Sequence, residues 1–410
     1  HINDSTSTYT FTLRDDVYFH KNKVFKKDST RNVVAQDFVY SFDRLLSPEL
    51  ASPGSWVFNA VQRYHAANDS TLVIQLSKPF PAFLGLLSMR YCSVVPKEAI
   101  AYYGNDFRSN PVGTGPFRFK FWEENVKLVL RKNPIYFEKD TQGNRLPYLE
   151  AVAITFLPDK QSEFLQFAQG NIDFMTGLDN SYKDEIITTK GTLQPKYKDR
   201  VQLITTPYLN TEYLGFFMGS TTKEIASPLI RKAINYGFDR EKMVTYLRNG
   251  MGIAATHGFI PKGLAGFDSI QGYSYNPEKA RALINTYKQA TGATSIEVTI
   301  GTNSQYLDLC EYIQRELEKL GISIKIDVMP PATLRQLKSS GELDIFRASW
   351  VADYPDAENY LSLFYSPNFT PNGPNYTHFK NVVFDSLYVE AQKISQINKR
   401  KLLYTQMDSI

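Results

Sequence analysis

A short stretch near residue 350 places charged side chains directly after a buried strand. Ile345 and Phe346 predict the buried part of that strand, and Arg347 follows where the strand should end. A guanidinium forms charge-assisted, bidentate hydrogen bonds with a carboxylate. Arg347 and Asp353 can therefore pair with each other or bind charged groups of a ligand. Asp353 can also cap the helix that follows, although Asp356 is better placed for that role.

The sequence lacks the common catalytic and metal-binding motifs. None of its five histidines stands three or four residues from another, so HExxH and finger-type zinc sites are absent. It has no GxxxxGK(S/T) phosphate loop and no GxSxG elbow. Residues 112–116 begin like a dinucleotide-binding GxGxxG motif, but Pro116 and Arg118 interrupt it and lead into a strand. We therefore predict no catalytic residue, no metal site and no cofactor.

Composition predicts a globular protein with more than one domain. The 410 residues are 42% hydrophobic and 21% charged, which excludes a largely disordered chain. Length alone favours two or three domains. The net charge is only +4 and no basic run occurs, which argues against nucleic acid as a partner. No apolar run reaches the roughly 18 residues of a membrane span.

Periodicity predicts the elements that must position the charged residues. In the first half, alternation predicts a strand over residues 9–13 and a hairpin around Glu123 to Asn125. Apolar residues at helical spacing predict a helix over residues 35–46. In the second half, a strand over 296–300, a helix over 304–320 and a strand over 322–328 predict a βαβ unit with two parallel strands.

Two segments repeat one pattern. A strand, a proline and a helix are followed by Gly170-Asn-Ile-Asp173 in one segment and by Gly341-Glu-Leu-Asp344 in the other. In each, the glycine predicts a left-handed helix end and the aspartate marks the start of a new strand. The repeat is either a chance recurrence of a common turn or a sign of two lobes with related topology. Two such lobes would bracket a ligand cleft.

Five segments together resemble the family 5 extracellular solute-binding proteins, which bind dipeptides, oligopeptides or nickel for bacterial ABC importers. They follow the family's order and spacing over nearly the whole chain. The segments are YTFTLR (9–14) with AQDFVYSF (35–42), PVGTGPF (111–117), PLIRKAINYGFDREK (228–242), YNPEKAR (275–281), and WVADYPD (350–356) with a later FD (384–385).

The resemblance implies an α/β, two-lobed periplasmic-binding-protein-like fold of the type II or cluster C kind. Residues 1–111 would form an extra subdomain of lobe one. Residues 112–213 would form the main part of lobe one, incomplete in this chain, and residues 214–410 would form lobe two. The family normally has a signal peptide and further residues at both ends, so the chain is expected to be a segment of a longer precursor.

The resemblance also implies a set of ligand-binding residues. In peptide-binding members an Arg is followed six residues later by an Asp, and Arg347 and Asp353 match this pair. The Asp receives the peptide ammonium, and the Arg can receive the carboxylate of a short peptide. Trp350 matches the tryptophan between them, although tryptophans are more often part of a core. Val351 stands where some members have Cys, and it would contact the ligand through its backbone carbonyl.

The function implied is that of an extracytoplasmic substrate-binding protein. It would bind a short peptide in an interlobe cleft, close by hinge motion and deliver the peptide to an ABC permease in the inner membrane. We expect a monomer that is periplasmic or at the cell surface, free or anchored by a lipid on a removed N-terminal signal. Alternatives are an oligosaccharide or chelated nickel on the same fold, a signalling receptor and, remotely, a secreted hydrolase.

Overall fold

A computed structural model describes residues 1–3, 7–26, 30–50, 52, 54–178, 180–206, 208–267 and 270–410. The chain divides into two compact units, His1–Asp179 and Asn180–Ile410. The boundaries predicted at residues 111 and 213 stay predictions. No helix among the described residues is long and apolar enough to cross a membrane.

The described residues of the first unit form two antiparallel sheets and four α-helices. One sheet has the strand order β1-β2-β4-β3 and the other has the order β5-β6-β7. The strands are β1 (Ile2–Asn3), β2 (Thr8–Thr12), β3 (Val61–Asn68), β4 (Thr71–Leu76), β5 (Phe117–Glu123), β6 (Lys127–Lys132) and β7 (Ala151–Thr155). The helices are α1 (Ala35–Leu46), α2 (Phe83–Leu87), α3 (Lys97–Tyr103) and α4 (Lys160–Ala168).

Local sequence patterns account for much of this unit. Helix α1 has the predicted bounds, and it buries Phe42 and Leu45, which lie on one face because they are three residues apart. The predicted hairpin is also confirmed, since β5 and β6 pair antiparallel. Asn125 makes its turn with a φ of 59°, a left-handed conformation that asparagine tolerates well.

The second unit is built on one mixed sheet with the order β10-β9-β11-β8. Its inner strand β11 pairs parallel with β9 and antiparallel with β8. The strands are β8 (Asn210–Phe216), β9 (Glu297–Thr302), β10 (Ser323–Val328) and β11 (Ile345–Val351). The helices are α5 (Asn180–Ile186), α6 (Lys223–Ala226), α7 (Pro228–Tyr236), α8 (Arg240–Leu247), α9 (Pro277–Thr291), α10 (Leu307–Glu318), α11 (Pro331–Ser340), α12 (Glu358–Leu361), α13 (Val382–Ala391) and α14 (Ile397–Ser409).

The predicted βαβ unit is confirmed. Strands β9 and β10 run parallel in register from Glu297 opposite Ser323, and α10 connects them. A 3-10 turn, Ser304–Tyr306, precedes α10, so the α-helix itself is shorter than predicted. Helix α10 packs on the sheet through Cys310 and Leu317, both fully buried. Because the carboxyl end of β9 leads straight into this turn, the turn lies at the edge of the sheet where ligands of α/β proteins bind.

The repeated pattern folds as predicted in only one of its two copies. Gly170 and Gly341 both take a left-handed conformation, with φ values of 79° and 75°. After Gly341 the chain enters β11, and the Asp344 carboxylate accepts hydrogen bonds from two hydroxyls of the segment that follows β8. After Gly170 the strand prediction is wrong, since residues 171–178 form no strand and Asp173 is exposed.

We predict that Gly341 tolerates a side chain less well than Gly321, which also has a positive φ. A Cβ on Gly341 would lie 2.6 Å from Cζ of Phe217, whereas a Cβ on Gly321 would meet no atom of the described residues within 4 Å. Gly321→Ala should lower the free energy of unfolding by about 1 kcal/mol, the cost of the left-handed backbone alone. Gly341→Ala should cost at least about 1 kcal/mol more. Urea denaturation measures both, and equal losses would contradict the predicted clash.

Candidate functional site

The predicted site residues lie on and after strand β11. Strand β8 pairs with β11 along its whole length, from Ile345 opposite Phe216 to Val351 opposite Asn210. Ile345 and Phe346 are both fully buried, as predicted. Burying each of these side chains stabilises the fold by about 1.5–3 kcal/mol. Their burial therefore holds β11 firmly in the sheet, and the start of the segment that follows is held with it.

Arg347 lies inside the second unit and is paired. Its side chain is 9% exposed, and its Nη2 donates a hydrogen bond to the carboxylate of Glu212 on β8. Its guanidinium carbon lies 3.0 Å from the centre of the Tyr306 ring, which adds a cation–π contact. Burial lowers the pKa of Arg347 to about 9. That value is above neutral pH, so Arg347 carries its positive charge at pH 7.

Asn359 holds Trp350 and Asp353 in place from the next helix. Its Oδ1 accepts hydrogen bonds from the Trp350 indole at 2.9 Å and from the Asp353 backbone N–H at 3.1 Å. Asn359 is itself 3% exposed, so this acceptor works away from water, where such bonds are strong. The Trp350 side chain is half-buried and Asp353 is exposed. The arrangement fixes the backbone of Asp353 while its side chain stays at the surface.

The candidate residues do not share one face of the strand. Alternate residues of a strand point to opposite sides, so Arg347 and Trp350, three positions apart, lie on opposite faces of β11. Their contacts agree, since Arg347 meets Glu212 and Trp350 meets Asn359. Val351, the last residue of β11, is 42% exposed. The candidate residues on β11 are therefore divided between its two faces, with Arg347 and Val351 on one and Trp350 on the other.

Buried ionic and tyrosine contacts anchor the loop that carries Asp353. Asp356 accepts from Arg400 at 2.7 Å and from the Tyr404 hydroxyl at 2.8 Å, and both partners are on α14. Asp356 also accepts from the backbone N–H of Glu358, the first residue of α12, although the N-cap position itself is Ala357. The loop is thus tied to α12 and α14.

A second anchor is the carboxyl group of Glu358, which the Tyr354 and Tyr388 hydroxyls contact. Burial raises the pKa of Glu358, and these hydroxyls work against that rise. Because Tyr354 belongs to the loop and Tyr388 to α13, this contact joins the loop to a third helix. The backbone next to Asp353 is therefore held on several sides.

Three residues of the site were missed by the sequence analysis: Glu212, Tyr306 and Asn359. Glu212 and Tyr306 reach Arg347 from other strands and turns, and Glu212 is 135 residues away from it in sequence. No feature of the sequence around these two residues indicates a role in the site. Asn359 follows Asp353 closely within a predicted helix, and a polar residue on the buried side of that helix was the one available signal. Among the described residues, no three or more His, Cys, Asp or Glu side chains group as metal ligands would.

Comparison with known families identifies the family of the protein. The model for bacterial extracellular solute-binding proteins, family 5 (middle region), matches residues 1–372. The chain therefore belongs to this family, which consists of periplasmic substrate-binding proteins and not of enzymes. The predicted family and its α/β fold are thus confirmed. The predicted lobe boundaries, interlobe cleft and ligand contacts remain predictions.

Individual relatives are distant in sequence but match along the whole chain. The dipeptide-binding protein of Escherichia coli K12 is 25% identical over 426 residues, covering 99% of this chain and 76% of the relative. The heme-binding protein A of Haemophilus influenzae is 27% identical over 429 residues, covering 100% of this chain and 75% of the relative. Relatives at this level of identity thus carry names for different ligands.

Solved structures have the same fold. DppA of Helicobacter pylori, an ABC transporter-associated periplasmic binding protein in complex with the peptide STSA, is 25% identical with a TM-score of 0.80, covering 100% of this chain and 79% of that one. NikZ of Campylobacter jejuni in complex with Ni(L-His) is 21% identical with a TM-score of 0.79, covering 100% of this chain and 80% of that one. At 21% identity the likeness to NikZ shows the fold alone.

We predict that Asn359 and Trp350 are energetically coupled. Asn359→Leu should lower the free energy of unfolding by about 2 kcal/mol, because it leaves two donors without their acceptor. Trp350→Phe removes one of those donors and keeps an aromatic ring. In the Asn359→Leu background it should therefore cost about 1 kcal/mol less than in the wild type. Urea denaturation of the four proteins gives this cycle, and strictly additive losses would contradict the coupling.

Proposed function

We propose that this protein binds short peptides outside the inner membrane and delivers them, unchanged, to an ABC permease. Family membership supports the transport role. A relative named for dipeptides and a structural neighbour in complex with a peptide support the ligand class. The observation that carries the proposal is the Asn359-held segment, which presents the exposed Asp353 carboxylate beside Trp350 at the end of an inner strand.

The chemistry of this segment suits one end of a peptide. Every peptide with a free N-terminus carries an ammonium group, whatever its side chains. A carboxylate on a fixed backbone can receive that group through a charge-assisted hydrogen bond, and Asp353 is our candidate. The Val351 backbone carbonyl and the Trp350 ring lie next in sequence, and we propose that they contact the first residue of the peptide. Arg347 completes the proposed set.

The remaining parts of the proposal concern the cell and the partners. We propose that the protein acts as a monomer, because one chain of this family contains the predicted site residues in full. Its proposed place is the periplasm or the cell surface, where it would meet the permease. A lipid anchor is consistent with that place and is not required by it.

A thermal-shift screen tests the ligand class. The panel would contain di- to pentapeptides, each with a free and with an acetylated N-terminus, together with nickel–histidine and oligosaccharides. A ligand present at about 100 times its dissociation constant stabilises the folded state by about 2.7 kcal/mol, which raises the unfolding midpoint. We expect a response to free peptides alone. If nickel–histidine or sugars stabilise the protein and no peptide does, the peptide proposal is wrong and that other ligand class takes its place.

Asp353→Asn tests the ammonium contact. By calorimetry it should weaken the binding of free peptides by about tenfold or more, the loss expected for one charge-assisted contact, and leave acetylated peptides unaffected. Asp327→Asn is the matched control, because Asp327 is an exposed aspartate on β10 of the same sheet. If Asp353→Asn and Asp327→Asn behave alike, the ammonium group binds elsewhere.

A further inference from the structure

The guanidinium of Arg347 is already engaged by the protein itself. It is 9% exposed, it donates to Glu212 and it lies against the Tyr306 ring. Its Nε is fully buried without a hydrogen-bond acceptor among the described residues. The bond to Glu212 uses Nη2, and a ligand carboxylate would need that nitrogen for a bidentate pair through either Nε and Nη2 or Nη1 and Nη2.

Glu212 is placed to hold this pair permanently. It stands on β8 opposite Ser349, which puts it diagonally across the ladder from Arg347 and on the same face. One carboxylate oxygen accepts from Arg347 and the other from the Asn210 amide at 2.8 Å. The carboxylate is therefore fixed by two donors on paired strands, and the buried positive charge is neutralised without a ligand.

The carboxylate is also the accessible half of the pair. The Glu212 side chain is 42% exposed, whereas that of Arg347 is 9% exposed. A ligand group that approaches here therefore meets a negative charge first. A second carboxylate would be repelled by Glu212 and would find Nη2 of Arg347 already occupied.

We infer that Glu212 is a specificity-determining residue that excludes a ligand carboxylate from Arg347 and makes this part of the site select neutral or cationic groups. The inference rests on the proposed function, because it concerns the peptide of that same site. It departs from the role that the family resemblance implies for Arg347, which is to receive the carboxylate of a short peptide. The chemical class that follows is a peptide whose group near Arg347 is an amide, a hydroxyl or a cation.

Matched peptide pairs test the inference. Each pair has one sequence of three to five residues and a free N-terminus, and ends in either a carboxylate or a carboxamide. By calorimetry the wild-type protein should bind the carboxamide at least as tightly as the acid. Glu212→Gln frees the guanidinium, so it should bind the acid about tenfold more tightly than the amide, the effect expected of one charge pair. Arg347→Gln should leave the wild-type ratio of the two affinities unchanged.

The outcomes separate the inference from the function on which it rests. A wild-type preference of about tenfold for the acid that disappears in Arg347→Gln would overturn the inference and leave peptide binding intact. Failure of both peptide forms to bind the wild-type protein would overturn the proposed function and the inference with it. Glu212→Gln leaves a buried charge unpaired and can prevent folding. If Glu212→Gln does not fold, the acid-to-amide affinity ratios of the wild type and of Arg347→Gln still test the inference. Arg347→Gln should fold, because the exposed Glu212 carboxylate tolerates the loss of its partner.

Discussion

A buried guanidinium is the constraint on which the second unit depends. Arg347 lies in an inner strand, so water cannot neutralise it, and an unpaired charge there would cost several kcal/mol. The compensating groups must come from the neighbouring strands or their turns, and the chain supplies Glu212 from β8 and Tyr306 from the turn after β9. The register of β8 on β11 follows from this need, because a slip of one residue would carry the carboxylate to the other face.

The same principle shapes the loop after β11. Loops that carry binding residues are usually the mobile part of a protein. Here Asn359, Glu358 and Asp356 follow one another closely, and each hydrogen-bonds to a different partner of the loop or of a helix packed on it. Their bonds are made away from water, so each is costly to break. A loop held in this way has less conformational entropy to lose when it binds a ligand.

The sequence predicted those features whose cause is local. The βαβ unit was predicted because its periodicities change from two to 3.6 and back within a few residues, and α1 was predicted because Phe42 and Leu45 recur at helical spacing. The strand predicted after Gly170 did not form, although its local pattern matches the one after Gly341. A strand needs partners, and only the second copy lies between β8 and β9.

The candidate site was also predicted only where the cause is local. The strand end could be located from two buried residues, Ile345 and Phe346, and a following charge. The partner of that charge could not be predicted, because Glu212 is 135 residues away in sequence. The sequence of its strand also has no feature that distinguishes a binding strand from a purely structural one. Pairing across a sheet depends on tertiary register, which one sequence does not encode in any local window.

The fold and the choice of ligand therefore depend on different features of the sequence in this family. Relatives named for dipeptides, glutathione and heme are 24–27% identical to this chain over essentially all of its length, so the fold alone does not select among ligands. Selection then depends on single side chains carried by rigid strands. One charge-assisted contact with a ligand contributes about 1.5–3 kcal/mol, which is about tenfold to a hundredfold in affinity. Glu212 carries such a charge, and it also pairs with Arg347 within the fold, so one residue can set both the stability of the strand pair and the charge that a ligand meets.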